Sequence, residues 1–206
     1  MKKFLIFVSA IIFSINVFAQ TQVKALYFRG NKITSDSTIA TSYGVYGIVG
    51  PDKLCILKTY NLYDELTSTG SYKDETLKVE HGDFVYYNDY RDFNYQNNTS
   101  FFLKDKTRYV SLKGRFEDGL RTGKWTTFYP TGNILMITTY LEGQKNGLFG
   151  YYENNGDVIQ TGNYVMDKKD GEWFYNKGRR KEVYIMGVLQ KEEKKKKQSK
   201  ASGTVN

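Results

Sequence analysis

FEDGLRTGKWTTFYPTG (116–132), YLEGQKNGLFGYYENNG (140–156) and YVMDKKDGEWFYNKG (164–178) repeat one phrase three times. In each, an aromatic residue (Phe116, Tyr140, Tyr164) stands seven residues before a glycine (Gly123, Gly147, Gly171). Two residues after that glycine comes a second large aromatic (Trp125, Phe149, Trp173), and the glycines recur every 24 residues. A period of this length marks a supersecondary unit that buries its apolar side only by stacking on its neighbours. Glycine recurs too often for helices, and no 3.6-residue stripe runs through the repeats. The frame therefore predicts an all-β chain of consecutive antiparallel β-hairpins forming a long twisted or curled sheet.

The turn chemistry agrees. Pro130–Asn133, Glu153–Gly156 and Asn176–Gly178 place Asn or Gly where a hairpin needs positive φ. The polar connections 141–146 and 166–170 run up to the key glycines, which are expected to act as hinges. By strand alternation Trp125, Thr127 and Tyr129 share one face with Phe149, Tyr151, Trp173 and Tyr175. The Trp125/Phe149/Trp173 column is the expected core. Phe128, Tyr152 and Phe174 lie on the other face and are the candidate binding residues.

Outward from the clear repeats (114–180), residues 59–87 form a worn copy in which Gly82-Asp83-Phe84 reproduces the glycine–x–aromatic step. Gly82 and Gly123 are 41 residues apart. The excess falls on an aromatic and Asn-rich insertion, 88–108, expected to form an extra hairpin or a long loop over one face. Upstream, KALYF (24–28) and Leu54–Tyr63 read as strands. Residues 182–189 read as a closing strand.

The ends differ from this body in composition. Lys2 and Lys3 precede an apolar run, Phe4–Phe18, and Ala19 precedes Gln20. That is the form of a secretory signal peptide over 1–19, since the run falls short of the roughly 20 residues a spanning helix needs. Export to the periplasm, outer envelope or extracellular space is the expectation, with a repeat domain over 20–189. Of the net charge of +8, two come from Lys2 and Lys3 and four from the basic tail 190–206, leaving the body at +2. A nearly neutral body argues against a nucleic-acid partner, whose footprint is a basic patch on the fold. Cys55 is the lone cysteine and closes no intrachain disulfide.

The repeated residues resemble the MORN repeat (membrane occupation and recognition nexus) in its shorter bacterial form: tyrosine, a polar turn, Gly-x-Trp-x-x-Tyr and a second turn such as Glu-Asn-Gly. Tyr164–Tyr175 and Tyr140–Gly156 match well, and Phe116–Gly132 nearly as well. Phe149 departs in replacing the tryptophan, and the copy around Gly82 departs further. The resemblance implies side-by-side antiparallel hairpins, protein contacts and, less directly, lipid contacts. Bacterial members include exported envelope proteins and some described as antitoxin-like. It brings no catalytic residues.

Signals for chemistry fail one by one. Gly119-Leu-Arg-Thr-Gly123-Lys124 resembles a phosphate-binding loop, but has three residues between the glycines rather than four, and Trp125 where Ser or Thr is needed. His81 is the sole histidine. Asp89 and Asp92 form a carboxylate pair with no spacing that singles it out for acid–base work. The expected function is a non-enzymatic, cofactor-free and metal-free module that binds a protein partner. The alternative is a peripheral module contacting anionic lipid through its lysine tail, or glycan through its aromatic face.

Overall fold

Two-residue turns set the register of the hairpins. In the computed structural model, which describes residues 24–30, 32–50 and 53–190, Asp118–Gly119, Glu142–Gly143, Met166–Asp167 and Met186–Gly187 each place both central residues at positive φ, between 46° and 89°. That is the type I′ signature, whose twist matches that of the strands it joins. The connections 141–146 and 166–170 are thus tighter than their polar lengths suggest. The longer turns are 130–132 and 154–156, closed by Gly132 N–H to the Tyr129 carbonyl (2.9 Å) and Gly156 N–H to the Glu153 carbonyl (2.9 Å).

These turns organise β1 (Lys24–Arg29), β2 (Lys32–Thr34), β3 (Ser42–Val49), β4 (Leu54–Asn61), β5 (Leu66–Tyr72) and β6 (Gly82–Asp89). A short helix α1 (Tyr90–Asn97) intervenes. Then come β7 (Arg108–Glu117), β8 (Leu120–Phe128), β9 (Ile134–Leu141), β10 (Gln144–Tyr152), β11 (Val158–Val165), β12 (Lys168–Tyr175), β13 (Arg180–Ile185) and β14 (Val188–Leu189). All fourteen join one open antiparallel sheet, in chain order from β14 to β3 and then β1 and β2. The chain is therefore an array of consecutive hairpins, not closed into a barrel. Residues 182–189 form the β13–β14 hairpin rather than one closing strand. The proposed signal peptide, and the basic tail from residue 191, lie outside the described residues.

Each turn tip is tied to the preceding hairpin. The N–H groups of Gly119, Gly143, Asp167 and Gly187 donate to the carbonyls of Glu80, Arg121, Lys145 and Lys169 at 2.7–2.9 Å. The acceptor is always the residue two before a key glycine, so the period reappears as a seam along one side of the sheet.

The key glycines are not hinges at the turns. Gly123, Gly147 and Gly171 lie inside β8, β10 and β12, at φ of 61°, 110° and 73°. There the strand runs two residues longer than the neighbour it pairs with: Lys113 meets Thr126 while Arg115 meets Thr122. Lys145 meets Tyr140 while Phe149 meets Thr138, and Thr161 meets Phe174 while Asn163 meets Asp170. Such bulges bend the strand and raise its twist, and a glycine accepts the left-handed backbone without strain. The bulge also throws the aromatic two residues on back across the sheet.

The insertion is neither a hairpin nor a plain loop. Asp89 caps α1, its carboxylate accepting the Arg91 N–H at 2.8 Å, and Asn98 ends it in the left-handed region at φ 51°. Phe93 of the helix packs against Tyr109 (ring centres 6.2 Å apart) and Tyr129 (5.9 Å). Burial there pushes the Tyr109 phenol up to about 12. At the base of the insertion Arg108 donates through Nε to the Leu66 carbonyl at 2.9 Å, and Thr107 donates to Glu65 at 2.8 Å.

The Asp89 cap carries a pH prediction. The Arg91 guanidinium holds the Asp89 carboxyl below the usual carboxylate range. A lowered carboxylate contributes its full stability above the unfolded value, near pH 4, and loses it as pH falls through the folded value. Protection of the amides of residues 90–97, taken relative to the intrinsic exchange rate at each pH, is expected to fall below about pH 4. Asp89→Asn, which keeps the cap without the charge, should flatten that dependence, and Asp89→Ala should lower stability by about 0.5–2 kcal/mol.

Candidate functional site

Directly paired residues share a face, so the ladder assigns every side chain to one side of the sheet. On the first side Phe116, Trp125 and Tyr140 touch in sequence, and so do Phe149, Tyr164, Trp173 and Tyr184. Phe116–Trp125 are 4.9 Å apart between ring centres, Tyr164–Trp173 5.0 Å and Phe149–Trp173 5.6 Å. Trp173 is fully buried and Trp125 is 2% exposed. The Trp125 indole N–H donates to the Arg115 carbonyl (3.2 Å) and that of Trp173 to the Asn163 carbonyl (3.1 Å), 48 residues on.

What lies beneath the indoles completes the arrangement. A Cβ at Gly114 would sit 2.2 Å from the Trp125 ring, and one at Gly162 2.3 Å from that of Trp173. Phe84 lies over Gly70 in the same way, 2.2 Å from where a Cβ would stand. The position under Phe149 holds Thr138, which is buried. Each indole, like the Phe84 ring, lies on a bare backbone, whereas Phe149 stands over a threonine.

Cations roof this column. The Arg121 guanidinium stands 4.2 Å from the Trp125 ring centre, Lys145 5.1 Å from that of Tyr164, and Lys169 4.5 Å from that of Trp173. They too recur every 24 residues, two before each key glycine. Each adds about 0.5–1 kcal/mol where exposed, and the stems shield the rings from water. This side is filled by its own side chains.

The opposite side is not. Phe128, Tyr152 and Phe174 all lie there, half-buried. One continuous row of paired residues crosses it: Val85, Lys113, Thr126, Ile137, Gly150, Thr161, Phe174 and Lys181. Phe128 and Tyr152 are 24 residues apart, but the residue equivalent to them in the third repeat is Asn176. Phe174 therefore belongs to the row two residues away, about 7 Å along the strand. Tyr152 spans the offset by folding back over Gly150, where a Cβ would lie 2.2 Å from its hydroxyl oxygen.

Two open grooves flank the row. One of about 490 Å³ is floored by Val85, Tyr87, Val110 and Phe128, and another of about 500 Å³ by Ile134, Ile137 and Tyr152. Gly132 borders both. Sequence alternation found the aromatics but not the grooves. Val85, Tyr87 and Val110 come from the strands flanking the insertion, and Ser111, the extra residue of a bulge in β7, decides which face Val110 takes.

The remaining polar residues serve the framework. His81 Nδ1 lies 3.0 Å from Asp118, whose carboxyl Lys73, with a smaller contribution from His81, holds below the usual range. Asp89 is the helix cap, which accounts for it apart from Asp92. Cys55 is fully buried, and desolvation pushes its thiol up, the setting of an inert structural cysteine. Gly119 and Gly123 belong to a turn and a strand bulge, not to a loop opening a helix. Among the described residues no group of three or more His, Cys, Asp or Glu could hold a metal ion, and no helix is long and apolar enough to cross a membrane.

A scan against protein-family models gives no match to this chain, and a search of curated proteins likewise finds none.

Proposed function

We propose that this chain is a non-enzymatic binding module, an exported MORN-like repeat protein that engages a protein partner through the face opposite its tryptophans. The observation that carries the reading is the contrast between the two faces. One is packed shut by its own aromatics and cations, while the other keeps Phe128, Tyr152 and Phe174 half-buried beside two open grooves. Aromatic residues on such a surface supply contact area with little conformational entropy to lose. The MORN assignment rests on the repeated step of glycine, any residue and Trp or Phe, with Tyr or Phe seven residues before the glycine, and export to the cell envelope on residues 1–19.

Phe128→Ser and Tyr152→Ser together are expected to abolish capture of the partner from native envelope extract. Their effect on stability should remain well below the ~3–5 kcal/mol of a buried tryptophan. Capture that survives the double substitution in a folded protein would overturn the assignment of this face.

A glycan is the second reading, favoured by one feature. The groove at Tyr152 is also lined by Asn133, Asn154 and Asn155, the pairing of a ring with amides that suits a sugar. Competition by soluble envelope polysaccharide would identify it.

A further inference from the structure

Of the grooves beside Phe128 and Tyr152, only the one at Phe128 has charge at its margin, and that charge has one sign. Lys106 and Lys113 line it, both exposed, and no Asp or Glu does. The Lys113 ammonium stands 5.3 Å from the Phe128 ring centre. Neither lysine pairs with a carboxylate among the described residues, whereas the nearby Arg115 is matched to Asp83 at 3.2 Å. The second groove is lined by uncharged residues throughout. The body as a whole is close to neutral, so two unpaired cations beside an apolar floor are a local feature.

We infer that the Phe128 groove takes a peptide segment in which a large apolar side chain is flanked by carboxylates. The apolar group would fill the space over Val85, Tyr87, Val110 and Phe128, and the carboxylates would meet Lys106 and Lys113. At about 490 Å³ the groove accommodates one or two large side chains. The cations stand at its margin in water, where complementary charge sets selectivity and encounter rate more than total affinity. This inference rests on the reading of the open face as a protein-binding surface, and adds the chemistry of the partner.

The test uses the full chain and two fluorescein-labelled peptides, Asp-Glu-Trp-Leu-Asp-Glu and its uncharged counterpart Asn-Gln-Trp-Leu-Asn-Gln, followed by anisotropy. At low salt the acidic peptide is expected to bind about tenfold more tightly, and the advantage should shrink as ionic strength rises. Lys106→Glu with Lys113→Glu should remove that advantage, and Phe128→Ser should weaken both peptides. Absence of binding by either peptide, equal binding of the two, or an advantage that persists in the double lysine variant overturns the inference. Its failure is separable from failure of the underlying reading. Equal binding that is still lost in Phe128→Ser removes only the charge preference, whereas native partner capture indifferent to Phe128 and Tyr152 removes the face itself.

Discussion

Alanine at position 162 is expected to lower the stability of the sheet by about 3 kcal/mol, where overpacking meets the loss of a buried aromatic. The added Cβ would lie 2.3 and 2.5 Å from two atoms of the Trp173 indole. The ring has nowhere to go. Its N–H is engaged by the Asn163 carbonyl, Tyr164 and Phe149 press on it, and Lys169 covers it. Either the indole leaves its pocket or β11 withdraws from β12. Gly171→Ala is the comparison that separates sterics from backbone strain, because nothing lies within 4 Å of its Cβ position and only the φ of 73° opposes a side chain. That strain is worth about 1–2 kcal/mol. Urea denaturation of the two variants should rank Gly162→Ala as the more damaging, and the reverse order would show that the indole yields easily.

Trp173→Ala carries the other large effect, about 3–5 kcal/mol, because the side chain is fully buried although no second sheet covers it among the described residues. Its neighbours would be left facing water. Phe149→Ala should do less harm, since Phe149 is only half-buried. The pairing of ring with floor makes a sharper forecast. Phe149→Trp alone should destabilise, because Thr138 occupies the ground that glycine clears beneath the other indoles. Thr138→Gly with Phe149→Trp rebuilds the arrangement of the flanking repeats, so the two changes should couple favourably by about 1 kcal/mol or more. Simple additivity would show that floor and ring are independent.

The hairpin array was legible because every 24-residue unit repeats the same alternation and the same turn residues, and local signals of one kind reinforce each other. The Trp125/Phe149/Trp173 column was legible for the same reason. The insertion was not. Its sequence contains a capping Asp89 and a terminating Asn98, but eight residues make a helix too short to persist alone. Packing of Phe93 on Tyr109 and Tyr129 holds it in place. The candidate site was half-legible: alternation placed Phe128, Tyr152 and Phe174 on one face, while the two-residue offset of Phe174 from the repeat frame shows once the frame is aligned with the ladder.

The amino-acid sequence by itself determined the period, the hairpins and the side on which the aromatics gather, because these depend on spacing along the chain and on turns a few residues wide. Only the tertiary structure decided that Gly114 and Gly162 are the floors under the indoles, that the key glycines are bulges within strands, and that grooves open beside Phe128 and Tyr152. Each depends on which residue of one strand stands opposite which residue of the next. A bulge shifts that pairing without altering the spacing that the chain displays.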